Sequence, residues 1–64
     1  MNNAVIRLKD GRYFGGWGKL GIMTFIWEKE YANRMSRTLA QRTLPKVEKE
    51  ARQEASIESL KNVI

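Results

Sequence analysis

Residues 4–8 and 13–17 are two short, mainly apolar runs on either side of Asp10-Gly11. Asp-Gly between two such runs is the strongest short-range indication of a hairpin turn, and successive side chains of each strand would point to opposite faces of the sheet. A two-residue type I′ turn would place Arg7 opposite Phe14. The pattern therefore predicts a β-hairpin with one apolar face, formed by Ala4, Ile6, Leu8, Tyr13 and Trp17.

Residues 22–27 form a third run, rich in β-branched and aromatic side chains. Both alternating sets in this run are largely apolar, which is typical of a strand that is covered on both faces. We therefore predict a third strand that is central in the sheet or covered on both sides, rather than a solvated edge.

From Glu28 onwards the composition changes to helix-forming residues. Ser36 is a candidate N-cap and Asn33 a second one. In a helix over about residues 36–54, the apolar side chains would form a narrow stripe along one side. Pro45 lies inside it, so that either a single helix is kinked there or one helix ends near Thr43 and another begins. The stripe consists of Ala40, Leu44, Val47, Ala51 and Ala55.

The apolar residues after Ala55 fall on the far side of the helical wheel, which indicates a break near Ala55-Ser56. A last strand over about residues 57–63 fits this change of phase, and a short separate helix fits it too. The expected fold is α+β, a single domain over residues 1–64 in the order β-β-β-α-β. A small antiparallel sheet of three or four strands would carry one helix across its Ile6/Leu8/Tyr13/Trp17 face.

The chain contains no cysteine and no histidine, which removes the commonest metal ligands and nucleophile–base pairs. Asp10 belongs to the predicted turn, and the glutamates other than Glu58 lie in the connector or helix beside lysines or arginines, as solvated surface charges do. We therefore expect no enzymatic activity, no metal and no cofactor. The longest apolar stretch, residues 21–27, is too short to cross a bilayer, and we expect a cytoplasmic protein that does not bind membranes.

A net charge of +5 favours anionic partners. The first candidate site is a basic patch on and just before the helix, suited to phosphates or to a carboxylate-rich protein surface. The second is the hairpin face opposite the core, where one aromatic ring stands among cations, as in sheets that stack single-stranded bases. The patch comprises Arg34, Arg37, Arg42, Lys46 and Lys49, and the hairpin face comprises Arg7, Lys9, Arg12 and Phe14.

The segment from Ile6 to Gly18, IRLKDGRYFGGWG, resembles the opening of a class of small phage and prophage proteins, mostly from phages of Gram-positive hosts. These begin with an LKDGKYFGG-type hairpin and continue with a third strand, an "A..FS" segment and a helix. Ala32, Met35 and Ser36 match that segment, with Met35 in place of the usual aromatic residue. The resemblance implies a β-β-β-α-β fold and a phage origin, whereas Pro45 departs from the family pattern.

The leading hypothesis is a non-enzymatic phage accessory protein that binds and inhibits or redirects a host machine, in the manner of an anti-CRISPR inhibitor. Its partner would be a host protein or ribonucleoprotein with an acidic surface. The alternative is a small regulator that binds nucleic acid directly through the hairpin face and the arginines. The aromatic residues of the first half also make a homodimer a candidate, through an open sheet edge or an exposed tryptophan.

Overall fold

The computed structural model describes residues 3–60 and has one four-stranded antiparallel sheet with one helix. The strands are β1 (Ala4–Leu8), β2 (Tyr13–Trp17), β3 (Met23–Ile26) and β4 (Ala55–Ser59), and the helix is α1 (Arg37–Ala51). Short 3₁₀ turns at Lys19–Gly21 and Lys29–Tyr31 flank β3. The strand order is β3-β2-β1-β4. The α+β prediction is confirmed.

The hairpin lies where the sequence predicts it, but its loop is one residue longer than expected. The backbone N–H of Leu8 donates to the carbonyl of Arg12 (2.7 Å), and that of Gly11 donates to Leu8 (3.0 Å). Gly11 has φ +100°. This is the pattern of a turn followed by one left-handed residue in a three-residue loop. The register pairs Arg7 with Tyr13, whereas the predicted two-residue turn required Arg7 opposite Phe14.

This one-residue shift moves the side chains at the start of β2 to the other face of the sheet. Phe14 is completely buried in the core, while Tyr13 is only partly buried and Trp17 is 51% exposed. The prediction that Tyr13 and Trp17 lie under the helix is therefore wrong. Ile6 and Leu8 do lie in the core, as expected, and it is Phe14 that joins them.

A β-bulge then bends β2. Its register with β3 shifts between Phe14 and Gly16, so that Phe14 pairs with Phe25 and Trp17 pairs with Met23. Because the shift inserts one extra residue, Phe14 and Trp17 end on the same face, and their rings meet edge to face at 5.0 Å. Trp17 thus lies at the rim of the core rather than inside it.

The segment that leads into the helix occupies the space where β1 and β2 part. The backbone N–H of Asn33 donates to Phe14 (2.9 Å), and Met35 exchanges two hydrogen bonds with Ala4 (2.9 Å each). Met35 is almost completely buried. This segment therefore satisfies backbone groups that neighbouring strands would otherwise pair.

The helix begins at the predicted cap. The hydroxyl of Ser36 accepts a hydrogen bond from the backbone N–H of Leu39 (3.2 Å). One helix continues through Pro45, which answers the question of one helix or two. Its buried residues are Ala40, Thr43 and Val47, and the Thr43 hydroxyl donates to the Leu39 carbonyl (2.8 Å). The helix ends at Arg52, a left-handed residue with φ +57°.

The last strand begins earlier than predicted, at Ala55, and runs antiparallel to β1. Ile57 pairs with Ile6 and Ala55 with Leu8. The sequence left a strand or a short helix open for this segment; the structure has a strand, in agreement with the β-β-β-α-β order, and residues 61–64 lie outside the described residues. Because β4 takes the free side of β1, β3 is an outer strand, and Thr24 leaves one of its faces exposed. The prediction of a third strand that is central or covered on both faces is therefore wrong.

Candidate partner-binding surface

Three of the predicted basic residues form a strip on the outer side of the helix. Arg42, Lys46 and Lys49 are spaced by four and three residues and are all exposed. At about 100° per residue they fall within about 60° of one another around the helix axis. Within residues 3–60, none of the three lies within ion-pairing distance of a carboxylate. We call these three residues the basic strip.

The other two predicted members of the patch lie elsewhere. The Arg37 guanidinium donates a hydrogen bond to the Ser59 hydroxyl (2.8 Å), which directs it to the β4 side of the helix. Arg34 is exposed in the segment before the helix. Helical periodicity applies only from Arg37 onwards, and Arg37 is about 140° around the axis from Arg42. The structure therefore groups three of the five residues.

The predicted basic and aromatic hairpin face is not present as a single surface. Phe14 is in the core, Arg7 lies 3.5 Å from the carboxylate of Glu58, and Lys9 is exposed in the loop. Arg12 lies on the same side of the sheet as Phe14 and Phe25, opposite to the side of Arg7. The prediction that these four residues share a face is wrong, because it depended on the two-residue turn.

Arg12 takes part in a different cluster, which the predicted register concealed. Its guanidinium carbon lies 5.5 Å from the ring centre of Phe25 and 5.9 Å from that of Trp27. Its Nε also donates to Asp10 at 2.9 Å. Cation–π contacts of this kind hold an arginine over aromatic faces. Trp27 remains 63% exposed and is thus available to a partner.

The large exposed apolar residues lie mainly on and around β2 and β3. The helix packs against β1 and β4, so this half of the sheet has less cover. Leu20 is 96% exposed at the tip of the β2–β3 connection, in a left-handed conformation (φ +64°) that is rare for leucine. Trp17 and Ile22 flank it. The exposed set is Trp17, Leu20, Ile22, Trp27, Tyr31 and Leu39.

The basic strip borders this less covered half. Arg37 and Glu48 both contact β4, and they lie within about 20° of each other around the helix. Leu39 is about 160–180° away from them, on the flank that faces β2 and β3, and within about 20° of Lys46. Leu39 is partly exposed. Cationic and apolar side chains are therefore neighbours on this flank.

The hairpin loop is tied to the end of the helix by Asp10. Its carboxylate accepts hydrogen bonds from the backbone N–H of Arg12 (2.9 Å) and from the side chain of Gln53 (3.1 Å). Gln53 in turn accepts from the backbone N–H of Asp10 (2.9 Å). The backbone hydrogen bond from Arg12 is the main cause that holds the pKa of Asp10 below its ordinary value of 3.8, with smaller contributions from Gln53 and the Arg12 side chain.

This loop contact predicts a loss of stability in acid. Because the pKa of Asp10 is lower in the folded than in the unfolded chain, its contribution is present above the unfolded value and disappears as pH falls through the folded one. We expect the urea midpoint to fall as the pH is lowered through and below 3.8, the ordinary pKa of Asp10, and Asp10→Asn to flatten this dependence. Glu50→Gln, which removes an exposed helix carboxylate, is the control and should keep the wild-type slope.

An open depression of about 320 Å³ lies on the surface where β1 ends and β4 begins. Arg7, Lys9 and Glu54 line it, together with Leu8, Ala55 and Ser56. It contains one carboxylate, so it does not offer the pair of acids that general acid–base hydrolysis uses. Residues 3–60 hold no group of three or more potential metal ligands. Within residues 3–60, no helix is long and apolar enough to cross a bilayer.

Comparisons with protein-family models, with curated protein sequences and with solved structures gave no match to this chain.

Proposed function

We propose that this is a non-enzymatic binding protein that docks on an acidic surface of a protein or ribonucleoprotein. The observation that carries the proposal is the basic strip, whose three cations lie free of carboxylates of residues 3–60 and border the exposed Leu39 on the helix surface. Arginine and lysine form charge-assisted hydrogen bonds with carboxylates. Exposed tryptophans are the side chains that most often anchor protein interfaces.

The resemblance of Ile6–Gly18 to small phage proteins supports a more specific proposal. The protein would be a phage accessory protein that acts in the cytoplasm of its bacterial host and inhibits or redirects a host machine, for example a CRISPR nuclease. Its net charge of +5 is unsuited to imitating DNA. It would instead cover an acidic protein surface, compete with bound nucleic acid or lock one conformation of its target.

Direct nucleic-acid binding is the second candidate, and the same strip is the observation that favours it. Cations at helical spacings of three and four can follow a phosphate backbone. The aromatic residue of the predicted base-stacking face, Phe14, is buried. Trp27 is exposed but already holds Arg12 over its ring, so the structure offers less for base stacking than the sequence predicts.

The test is capture of partners from lysates of Gram-positive bacteria by the wild-type protein and by Arg42→Gln/Lys46→Gln/Lys49→Gln. We expect a defined protein to be captured after nuclease treatment, and the triple variant to lose at least about 90% of it, since charges at an interface set association rates and affinity. The control is Lys9→Gln/Lys19→Gln/Lys29→Gln, which removes the same charge from the loops and should retain capture.

Capture that nuclease abolishes would contradict this proposal and support the second candidate. Equal losses in the two triple variants would show that net charge matters rather than the strip. Both variants should keep the wild-type circular dichroism spectrum and nearly the wild-type melting midpoint, because the six replaced side chains are exposed and Lys29 loses only a surface ion pair with Glu58.

A further inference from the structure

The sheet has two outer strands, and they differ in how well they are protected from pairing. The outer strand β4 carries Glu58, whose carboxylate lies 3.1 Å from Lys29 and 3.5 Å from Arg7. Charges of this kind discourage edge-to-edge contact. The other outer strand, β3, lies within residues 20–27, which contain no charged residue and no proline. The edge of β3 therefore lacks the charges and prolines that usually keep an outer strand from pairing with another chain.

The backbone register shows which groups of β3 point outwards. The carbonyl of Ile22 accepts from the N–H of Gly18 (2.6 Å), so Ile22 faces β2. The carbonyl of Phe14 bonds to Asn33 on its other side, so Phe14 and its cross-strand partner Phe25 form a pair without mutual hydrogen bonds. Since the direction alternates along a strand, the N–H and C=O groups of Met23 and Phe25 point to the open edge.

We propose that a second copy of this chain pairs with that edge, β3 against β3 in antiparallel orientation, to give a two-fold symmetric dimer with a continuous eight-stranded sheet. The two-fold axis lies at Thr24. In this register Met23 of each copy faces Phe25 of the other, and the two pairs exchange four hydrogen bonds. An axis at Phe25 would pair Met23 with Trp27, which lies beyond the end of β3.

The charges around the β3 edge favour a second copy of this chain as its binding partner. The positively charged protein can approach itself here because the edge is neutral. In the antiparallel arrangement, the end of β3, followed by Glu28, Lys29 and Glu30, meets the start of the partner's β3, preceded by Lys19. Lys19 of one copy lies level with Lys29 of the other, whose ammonium is already paired with Glu58 (3.1 Å). Glu28 and Glu30 stand on either side of Lys29, so the segment that Lys19 meets is net negative at both ends of the interface. In this register the exposed side chain of Ile22 in each copy faces Ile26 of the other copy.

The test is sedimentation velocity of the full chain across a range of concentrations, with variants at the edge. A single strand pair is a small interface, so we expect a dissociation constant on the order of 10–100 µM. Thr24→Lys places two like charges at the two-fold axis and should weaken the dimer at least about tenfold. Met23→Pro removes an outward N–H and should do the same.

Two controls keep the result specific. Thr24→Val loses the side-chain hydrogen bond from Thr24 to Gly16 (3.0 Å) without adding a charge, and it should still dimerise. Ser56→Lys adds the same charge to the β4 edge and should dimerise as the wild type does. Each variant is compared at its measured folded fraction, from its melting curve.

A monomer at all concentrations up to about 1 mM, well above the expected dissociation constant, would overturn the proposal. A dimer that Thr24→Lys leaves unchanged would overturn it as well and would locate self-association at another surface. In a positive result, amide hydrogen exchange at Met23 and Phe25 slows as the protein concentration rises. Protection of these amides by an added extended peptide, without any dimer, would assign the edge to a different occupant.

Discussion

Replacing Phe14 with alanine is expected to unfold the protein. Phe14 is completely buried against Ile6, Leu8 and Val47 in the core. Phenylalanine-to-alanine changes in such positions cost about 3–5 kcal/mol. A domain of this length has a total stability of about 3–10 kcal/mol. Thermal unfolding followed by circular dichroism should show a lost or strongly lowered transition.

Trp17→Ala is the matched comparison, because it removes a larger side chain from the same face of β2. Trp17 is half exposed and contacts Phe14 at the rim of the core. We expect a loss of about 1–2 kcal/mol and a folded protein, since only the buried part of the ring contributes. The opposite order, with Trp17→Ala unfolded and Phe14→Ala folded, would mean that the two-residue hairpin turn and the register it implies are right.

The second large effect is expected at Gly16, in the bulge of β2. Its φ of +102° is strained for any residue with a Cβ, and an added Cβ would lie 3.0 Å from the side-chain nitrogen of Asn33. Asn33 is fixed there by its backbone bond to Phe14. We expect Gly16→Ala to lower the free energy of unfolding, measured in urea, by about 2–4 kcal/mol, from backbone strain together with this contact.

Gly11→Ala separates the two contributions. Gly11 has nearly the same φ, +100°, but its Cβ would meet only the edge of the Trp27 ring at an ordinary 3.7 Å. This variant should lose only the backbone part, about 1–2 kcal/mol. Adding Asn33→Ala to Gly16→Ala should recover part of the loss. Equal costs at the two glycines, with no recovery in the double variant, would show that Asn33 does not fill the space beside Gly16.

Local chemistry explains what the sequence alone could predict. The Ser36 cap and the position of Arg42, Lys46 and Lys49 on the outer side of the helix depend on contacts within a few residues, which capping rules and periodicity describe. The same rules left one kinked helix or two helices open at Pro45. The position of the hairpin follows from Asp10-Gly11 for the same reason. The change of phase after Ala55 predicted the end of the helix near Ala55-Ser56, but a strand and a short second helix both fitted the residues that follow.

Contacts between distant residues explain the errors. Asp-Gly suits both a two-residue turn and the last two positions of a three-residue loop. The bonds of Asp10 to Gln53, 43 residues away, hold the loop in its longer form, and the longer loop reverses the faces of Phe14 and Tyr13. The outer position of β3 has a similar cause, because it depends on β4 pairing with β1.

The residues of the candidate partner-binding surface also divide into those that local spacing predicts and those that depend on distant contacts. Arg42, Lys46 and Lys49 could be grouped from their spacing, whereas Arg37 could not be placed without its bond to Ser59. The exposed Trp17 was assigned to the core through the predicted register. A strand-length apolar run such as residues 22–27 does not itself indicate whether its sides are covered, because that depends on the order of strands in the sheet.

The central claim is that the basic strip meets a protein rather than free nucleic acid, and one titration tests it most directly. Fluorescently labelled single-stranded and duplex oligonucleotides are titrated with the wild-type protein at two salt concentrations. We predict weak binding near physiological salt, with a dissociation constant above about 10 µM. Submicromolar binding with a steep salt dependence, which the Arg42/Lys46/Lys49 triple variant reduces by roughly 0.7 per lost contact on a single strand, would contradict the claim.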